Sequence, residues 1–207
     1  MPTRNLLTIN LSKTELSKIQ RDINFLRCLK EFSHRNHLRL VLSGGYGLDI
    51  SLGTITRPHN DVDAIVYGQL PRVKALGLIT QFVQGLFPSS TVATHDNKFM
   101  VCLNINSPGF GANLYFVETA NDPHKDINTI VLKNGKKHRN NRQIFLLPVM
   151  GNLLGDKFEA QNPNFHLANI LFKHQSDKQA KHEQDIINLQ KITNPKLVNK
   201  LFLLLSR

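Results

Sequence analysis

The chain has 207 residues, enough for one domain with a buried core or a small domain with a helical appendage. Apolar residues make up 41% and charged residues 20%, which excludes a disordered or low-complexity chain, and no apolar run approaches the ~18 residues of a membrane span. A formal charge of +11 favours anionic partners (nucleotides, nucleic acid or an anionic membrane surface) or marks a generally Lys-rich solvated surface, and two cysteines cannot build a disulfide framework, so the reducing cytoplasm is the expected compartment.

The elements follow in chain order. Ser12 and Glu15 have capping-box spacing, and Leu16, Ile19, Ile23, Leu26 and Leu29 then repeat at three and four, which predicts an amphipathic helix. Leu38 to Leu42 reads as a strand ending at Ser43-Gly44-Gly45, with a short helix to Leu52 stopped by Gly53. Asp61 to Val66 is a second strand, and Pro71 to Phe87 a helix. Further strands are expected at Phe99 to Ile105, Ala112 to Glu118 and Ile127 to Leu132. Asn134-Gly135 then signals a two-residue hairpin turn, with Lys133, Lys136, Lys137, His138, Arg139 and Arg142 around it and a return strand ending near Leu147-Pro148. Such a tip could touch a phosphate chain, although charged edges also guard sheets against aggregation. Beyond it the composition turns helical, with helices over Asn164 to Lys173, over Lys178 to Ile192 and after Pro195. The expected class is α+β: a mixed sheet with flanking helices over residues 1–148, then a helical region over 149–207.

Ser43 to Val66 carries the chemistry. Alternate side chains of a strand share a face, so Asp61 and Asp63 project together while Val62 and Ala64 point the other way. Adjacent unpaired carboxylates repel, and a hard cation such as Mg²⁺ relieves them while keeping substrate phosphate in its shell. Gly44 and Gly45 allow close approach of backbone N–H groups to an anion. Paired acids and a glycine loop together point to a nucleotide–metal site.

The run from Gly44 to Asp63 resembles the signature of the aminoglycoside and lincosamide nucleotidyltransferases, within the DNA polymerase beta-like superfamily. It has Gly44-Gly45 before an aromatic Tyr46, Asp49 after the glycines, Leu52-Gly53, Thr56-Arg57-Pro58-His59, and then Asp61-Val62-Asp63. The match is specific over this stretch and diffuse elsewhere, with echoes at Asn113 to Glu118, at Lys173, and at Lys181 to Asp185. The resemblance implies a nucleotidyltransferase-type fold and Mg²⁺-dependent transfer of a nucleoside monophosphate, AMP from ATP, to an acceptor hydroxyl. In that scheme Asp61 and Asp63 are the catalytic, metal-binding pair. Ser43, Gly44 and Gly45 cradle the phosphates, and Arg57 and His59 contact the nucleotide. Asp49, Lys173 and Lys181 line a cleft.

Alternatives stand beside several of these roles. Arg57 could instead pair with Asp49, His59 could satisfy a loop carbonyl, and Lys181 could pair with Asp185 one helical turn on. The family's third carboxylate is replaced by Asn113, which can ligate a metal through its oxygen but cannot serve as a general base. Glu118 and Asp96 are remote candidates for that base. A small-molecule acceptor such as an antibiotic is favoured, with RNA or a protein hydroxyl as alternatives. A nucleotide-binding module with weakened catalysis is a further one.

Overall fold

The computed structural model describes residues 11–139, 147–174 and 180–205. These form two compact units, each built from separated stretches of chain. One holds the described residues up to 41 together with 57–139, and the other holds 42–56 and the described residues from 147 on.

In the first unit, helix α1 (Lys13–Arg35) opens on the expected capping box. The Ser12 hydroxyl accepts from the Glu15 N–H, and the Glu15 carboxylate accepts from the Ser12 N–H. The strands are β2 (Val62–Gly68), β3 (Thr91–Asp96), β4 (Val101–Ser107), β5 (Phe110–Glu118) and a small ladder of β6 (Thr129–Val131) with β7 (Lys137–Arg139). Helix α3 (Arg72–Leu86) follows β2. β2 runs parallel to β5, while β4 pairs antiparallel with both β5 and β3. Val62, Ala64 and Val66 of β2, Leu103 and Ile105 of β4, and Leu114 and Phe116 of β5 are buried with Ile23, Leu26 and Leu29 of α1 and Ile79 and Val83 of α3. Phe25, Phe32, Phe82, Phe87 and Phe110 add an aromatic cluster, Phe25 meeting Phe110 edge-on at 4.8 Å between ring centroids.

In the second unit, helix α2 (Gly44–Leu52) ends at Gly53, whose φ of 69° is the left-handed stop foreseen in the sequence. A hairpin of β8 (Val149–Leu153) and β9 (Asp156–Ala160) comes next, then α4 (Pro163–His174), α5 (Ala180–Gln190) and α6 (Pro195–Leu205). Leu48 of α2 packs with Leu167, Ala168, Ile170, Leu189, Val198 and Leu201 of the three later helices.

Strand β1 (Arg39–Ser43) belongs to both units, contributing its first three residues to one and its last two to the other. Counted through it, the sheet is mixed and seven-stranded, in the order β3-β4-β5-β2-β1-β9-β8. The α+β class is therefore the observed one. No helix among the described residues is long and apolar enough to cross a membrane.

Four strands depart from expectation. β3 has a single half-buried apolar residue, Val92, on an otherwise exposed edge, so it carries little hydrophobic pattern. β8 and β9 lie at 149–160, where a helical region was expected. They turn through Leu154 and Gly155, with φ values of 48° and 91°, and leucine is not a residue that announces such a turn. The strand expected at Ile127 to Leu132 is shorter because Asp126 binds the Asn128 N–H and the Thr129 hydroxyl, holding a turn where the strand would begin. Most of the expected return strand after β7, with Arg142, lies outside the described residues.

Candidate active site

Period-two alternation puts Asp63 of β2 and Asp61, the residue before it, on one face of the sheet. Both side chains are half-buried, while Val62 and Ala64 are sealed on the other face. The register places Asp63 beside Asn113 of β5, and Asn113 beside Asn104 of β4. Three neighbouring strands thus present a polar row. Asn113 Nδ2 donates to Asp61 Oδ2 at 2.9 Å and to Asp63 Oδ1 at 3.0 Å. Its Oδ1 accepts from Asn104 Nδ2 at 2.7 Å, and the Asn104 oxygen accepts in turn from the Cys102 thiol at 3.6 Å. One amide nitrogen therefore serves both acids, and its oxygen is turned away from them.

The next row on this face holds Tyr115 and Cys102, which are register partners. Burial, then the negative charge of Asp63, raises the pKa of both the Tyr115 phenol and the Cys102 thiol above their ordinary values. Both are held in their protonated forms. Gly111 completes the face: a Cβ there would lie 3.7 Å from the Asp61 Cβ, an ordinary contact.

This face can accommodate a metal ion on the evidence of its donors. Two carboxylate oxygens converge on a single nitrogen, so they already surround a common point, and carboxylate oxygen suits a hard cation. No group of three or more His, Cys, Asp or Glu side chains able to hold a metal occurs among the described residues. The donor set fits one ion completed by phosphate and water.

The glycine elbow belongs to the second unit. Ser43 is extended and buried, with no side-chain bond to the α2 amides, and Gly44 takes a φ of 57° to turn strand into helix. No acidic residue occupies the first turn of α2, which leaves its N–H groups facing an end of positive helix dipole. Gly47 has a separate purpose. A Cβ on it would stand 2.8 Å from the backbone oxygen of Leu42, so α2 can lie against β1 only with glycine there. Asp49 is fully buried, and its Oδ1 accepts from both the N–H and the hydroxyl of Thr56, at 2.9 and 2.7 Å. It braces the loop that leads away from Gly53.

The other expected residues fall as follows. His59 is buried in the first unit, and half-buried Arg57 donates to the carbonyl of Pro58 at 3.3 Å. Lys173 is exposed near the end of α4, and the side chain of Lys181 lies outside the described residues. Glu118 accepts the Arg72 N–H at the start of α3, and Asp96 is shared by Arg72 at 2.9 Å and Lys133 at 3.0 Å, which lowers its pKa. Both acids are thus engaged in structural bonds. Asn104 went unnoticed in the sequence: nothing in Val101 to Ser107 reveals which of its residues will face Asn113, since cross-strand register is set by the partner strand.

Residues 25–75, which include the glycine elbow and both acids, match the family model described as aminoglycoside-2''-adenylyltransferase. No curated protein matches the sequence. Among solved structures, the solution structure of the antibiotic-resistance factor ANT(2'')-Ia aligns with a TM-score of 0.67 and 13% identity, over 90% of this chain and 92% of the other. The crystal structure of ANT(2'')-Ia in complex with adenylyl-2''-tobramycin aligns with a TM-score of 0.64 and 13% identity, over 90% and 97%. The lincomycin-bound lincosamide antibiotic adenylyltransferase LnuA gives 0.53 and 18% identity, over 89% and 100%. At these identities the structural likeness is one of fold.

Proposed function

We propose that this nucleotidyltransferase of the aminoglycoside and lincosamide family moves AMP from ATP to a hydroxyl of a small-molecule acceptor. In that reaction the acceptor oxygen forms a bond to the α-phosphorus, the bond from that phosphorus to the bridging oxygen breaks, pyrophosphate leaves, and the hydroxyl proton passes to solvent. Asp61 and Asp63 would hold Mg²⁺, which when bound orients the triphosphate and offsets charge on the departing pyrophosphate. Ser43, Gly44, Gly45 and the start of α2 would receive phosphate oxygens, because the helix opens without a side-chain cap or an acid in its first turn and its dipole favours an anion there. Arg57 and His59 lie on the segment just ahead of the two acids and are assigned to the nucleotide, the guanidinium fork suiting oxyanions. Asp49, Lys173 and Lys181 are assigned to the cleft, Asp49 through the loop it braces. The cytoplasm is the compartment assigned to this reaction.

The observation that carries this reading is the convergence of the Asp61 and Asp63 carboxylates on one point, at 2.9 and 3.0 Å from Asn113 Nδ2. Purified protein, ATP and Mg²⁺ with a panel of antibiotic and other hydroxyl acceptors, read by product mass and pyrophosphate release, tests it. The expected result is an adenylylated acceptor with stoichiometric pyrophosphate, both lost in Asp63→Asn. ATP binding by calorimetry with no release for any acceptor would favour the second reading, a nucleotide-binding module. The amide in place of a third acid supports that alternative.

A further inference from the structure

We propose that Asn113 is a neutral cross-brace that occupies the position of a cation between Asp61 and Asp63 and limits this centre to a single divalent ion, one that enters with the nucleotide. The proposal rests on the reading of these acids as the metal site. Both hydrogens of one amide group are used, one on each carboxylate, at 2.9 and 3.0 Å. That leaves the two negative charges held side by side without a metal, by donors of partial positive charge.

The orientation of the amide is set from behind. Asn104 Nδ2 donates to Asn113 Oδ1 at 2.7 Å, and the Cys102 thiol donates to Asn104 Oδ1 at 3.6 Å, so polarity runs one way from β4 through β5 to β2. Turning Asn113 over would aim its oxygen at two carboxylates and set its NH₂ against the NH₂ of Asn104. Offering oxygen to a metal therefore requires two amides to turn together, and the backbone register of all three strands holds the side chains in place. A cation arriving alone must displace two charge-assisted hydrogen bonds and gains only two negative charges. Triphosphate oxygens supply the missing charge, so ion and nucleotide bind as a pair. A second divalent ion would have no carboxylate left to offset it, since no third acid, His or Cys joins the group among the described residues.

Mn²⁺ serves as the probe, followed by electron paramagnetic resonance and calorimetry on the whole chain. The wild type is expected to bind one Mn²⁺ per chain, weakly alone and about tenfold or more tighter with α,β-methylene ATP. Asn113→Asp should bind Mn²⁺ alone about tenfold tighter and take a second ion with the analogue, because ligand charge sets affinity. Its metal-free melting temperature should fall, through three facing carboxylates, and recover on adding Mn²⁺. Asn113→Ala should also bind nucleotide-free Mn²⁺ more tightly than the wild type, since no brace must be displaced. Two ions on the wild type, or unchanged Mn²⁺ affinity in both variants, would overturn the brace. Mn²⁺ binding unaffected by Asp63→Asn, or absent from the wild type even with the analogue, would instead overturn the metal site itself.

Discussion

Two ionisable residues show how position decides what a side chain can do. His166 of α4 is fully buried, and desolvation drives its pKa from 6.5 to about 4, with the charge of Asp185 opposing the shift and Lys173 adding to it. The neutral ring is the folded form, so the unfolded chain takes up a proton first as pH falls. Stability linked to His166 is complete above pH 6.5, declines between 6.5 and about 4, and is constant below, a total of about 3 kcal/mol. Denaturant unfolding from pH 7 to 4 should show this decline in the wild type and a shallower one in His166→Asn. Asp63, in contrast, sits half-buried on an open polar face. Asp63→Asn should abolish transfer while leaving the melting temperature within a few degrees, checked by pyrophosphate release beside a thermal scan. The acid pair was legible because two residues one apart on a strand must share a face. Asn104, and the direction of the amide chain it sets, depended on register between strands distant in sequence.

At the scale of elements, local chemistry explains what the sequence revealed and what it hid. The ends of α1 and α2 were visible because Ser12, Glu15 and Gly53 act within a turn of themselves. Ser12→Ala should cost about 1 kcal/mol, measured by urea unfolding. Gly47 gave no packing signal in the sequence, yet its space is closed by the Leu42 carbonyl at 2.8 Å, a backbone atom that cannot turn aside. Gly47→Ala should destabilise by about 1–3 kcal/mol, as overpacking does, and shift the urea midpoint accordingly. Arg72 was equally silent in the sequence. Its guanidinium donates to Asp96 and to the carbonyls of Asn97, Lys98 and Val131, and so ties the β3–β4 turn to β6. β3, β8 and β9 escaped because an exposed edge strand carries little apolar pattern and a turn through Leu154 lacks the residues that mark one.

Across the whole molecule the surplus of positive charge constrains the acceptor. A +11 chain repels polycations at long range, and salt screens that repulsion. With a polycationic aminoglycoside as acceptor, kcat/KM should hold or rise between 50 and 200 mM salt, whereas an RNA acceptor should lose affinity steeply over the same range as counterions are released. Steady-state kinetics at a series of salt concentrations separates the two. Most elements were readable in order, β3, β8 and β9 excepted, and each compact unit joins stretches distant in sequence, because packing partners need not be neighbours in the chain. α2 is the clearest case. It lies early in the sequence, yet Leu48 packs on α4, α5 and α6, and a Cβ on Gly151 of β8 would strike the Ile50 carbonyl at 2.5 Å. Anyone building chimeras must therefore treat 42–56 and the tail as a single cassette. Grafting a foreign tail from residue 149 onward would strand the glycine elbow on a helix cut off from its own seating, so crossover points belong at 41/42 and 56/57 as well as ahead of β8.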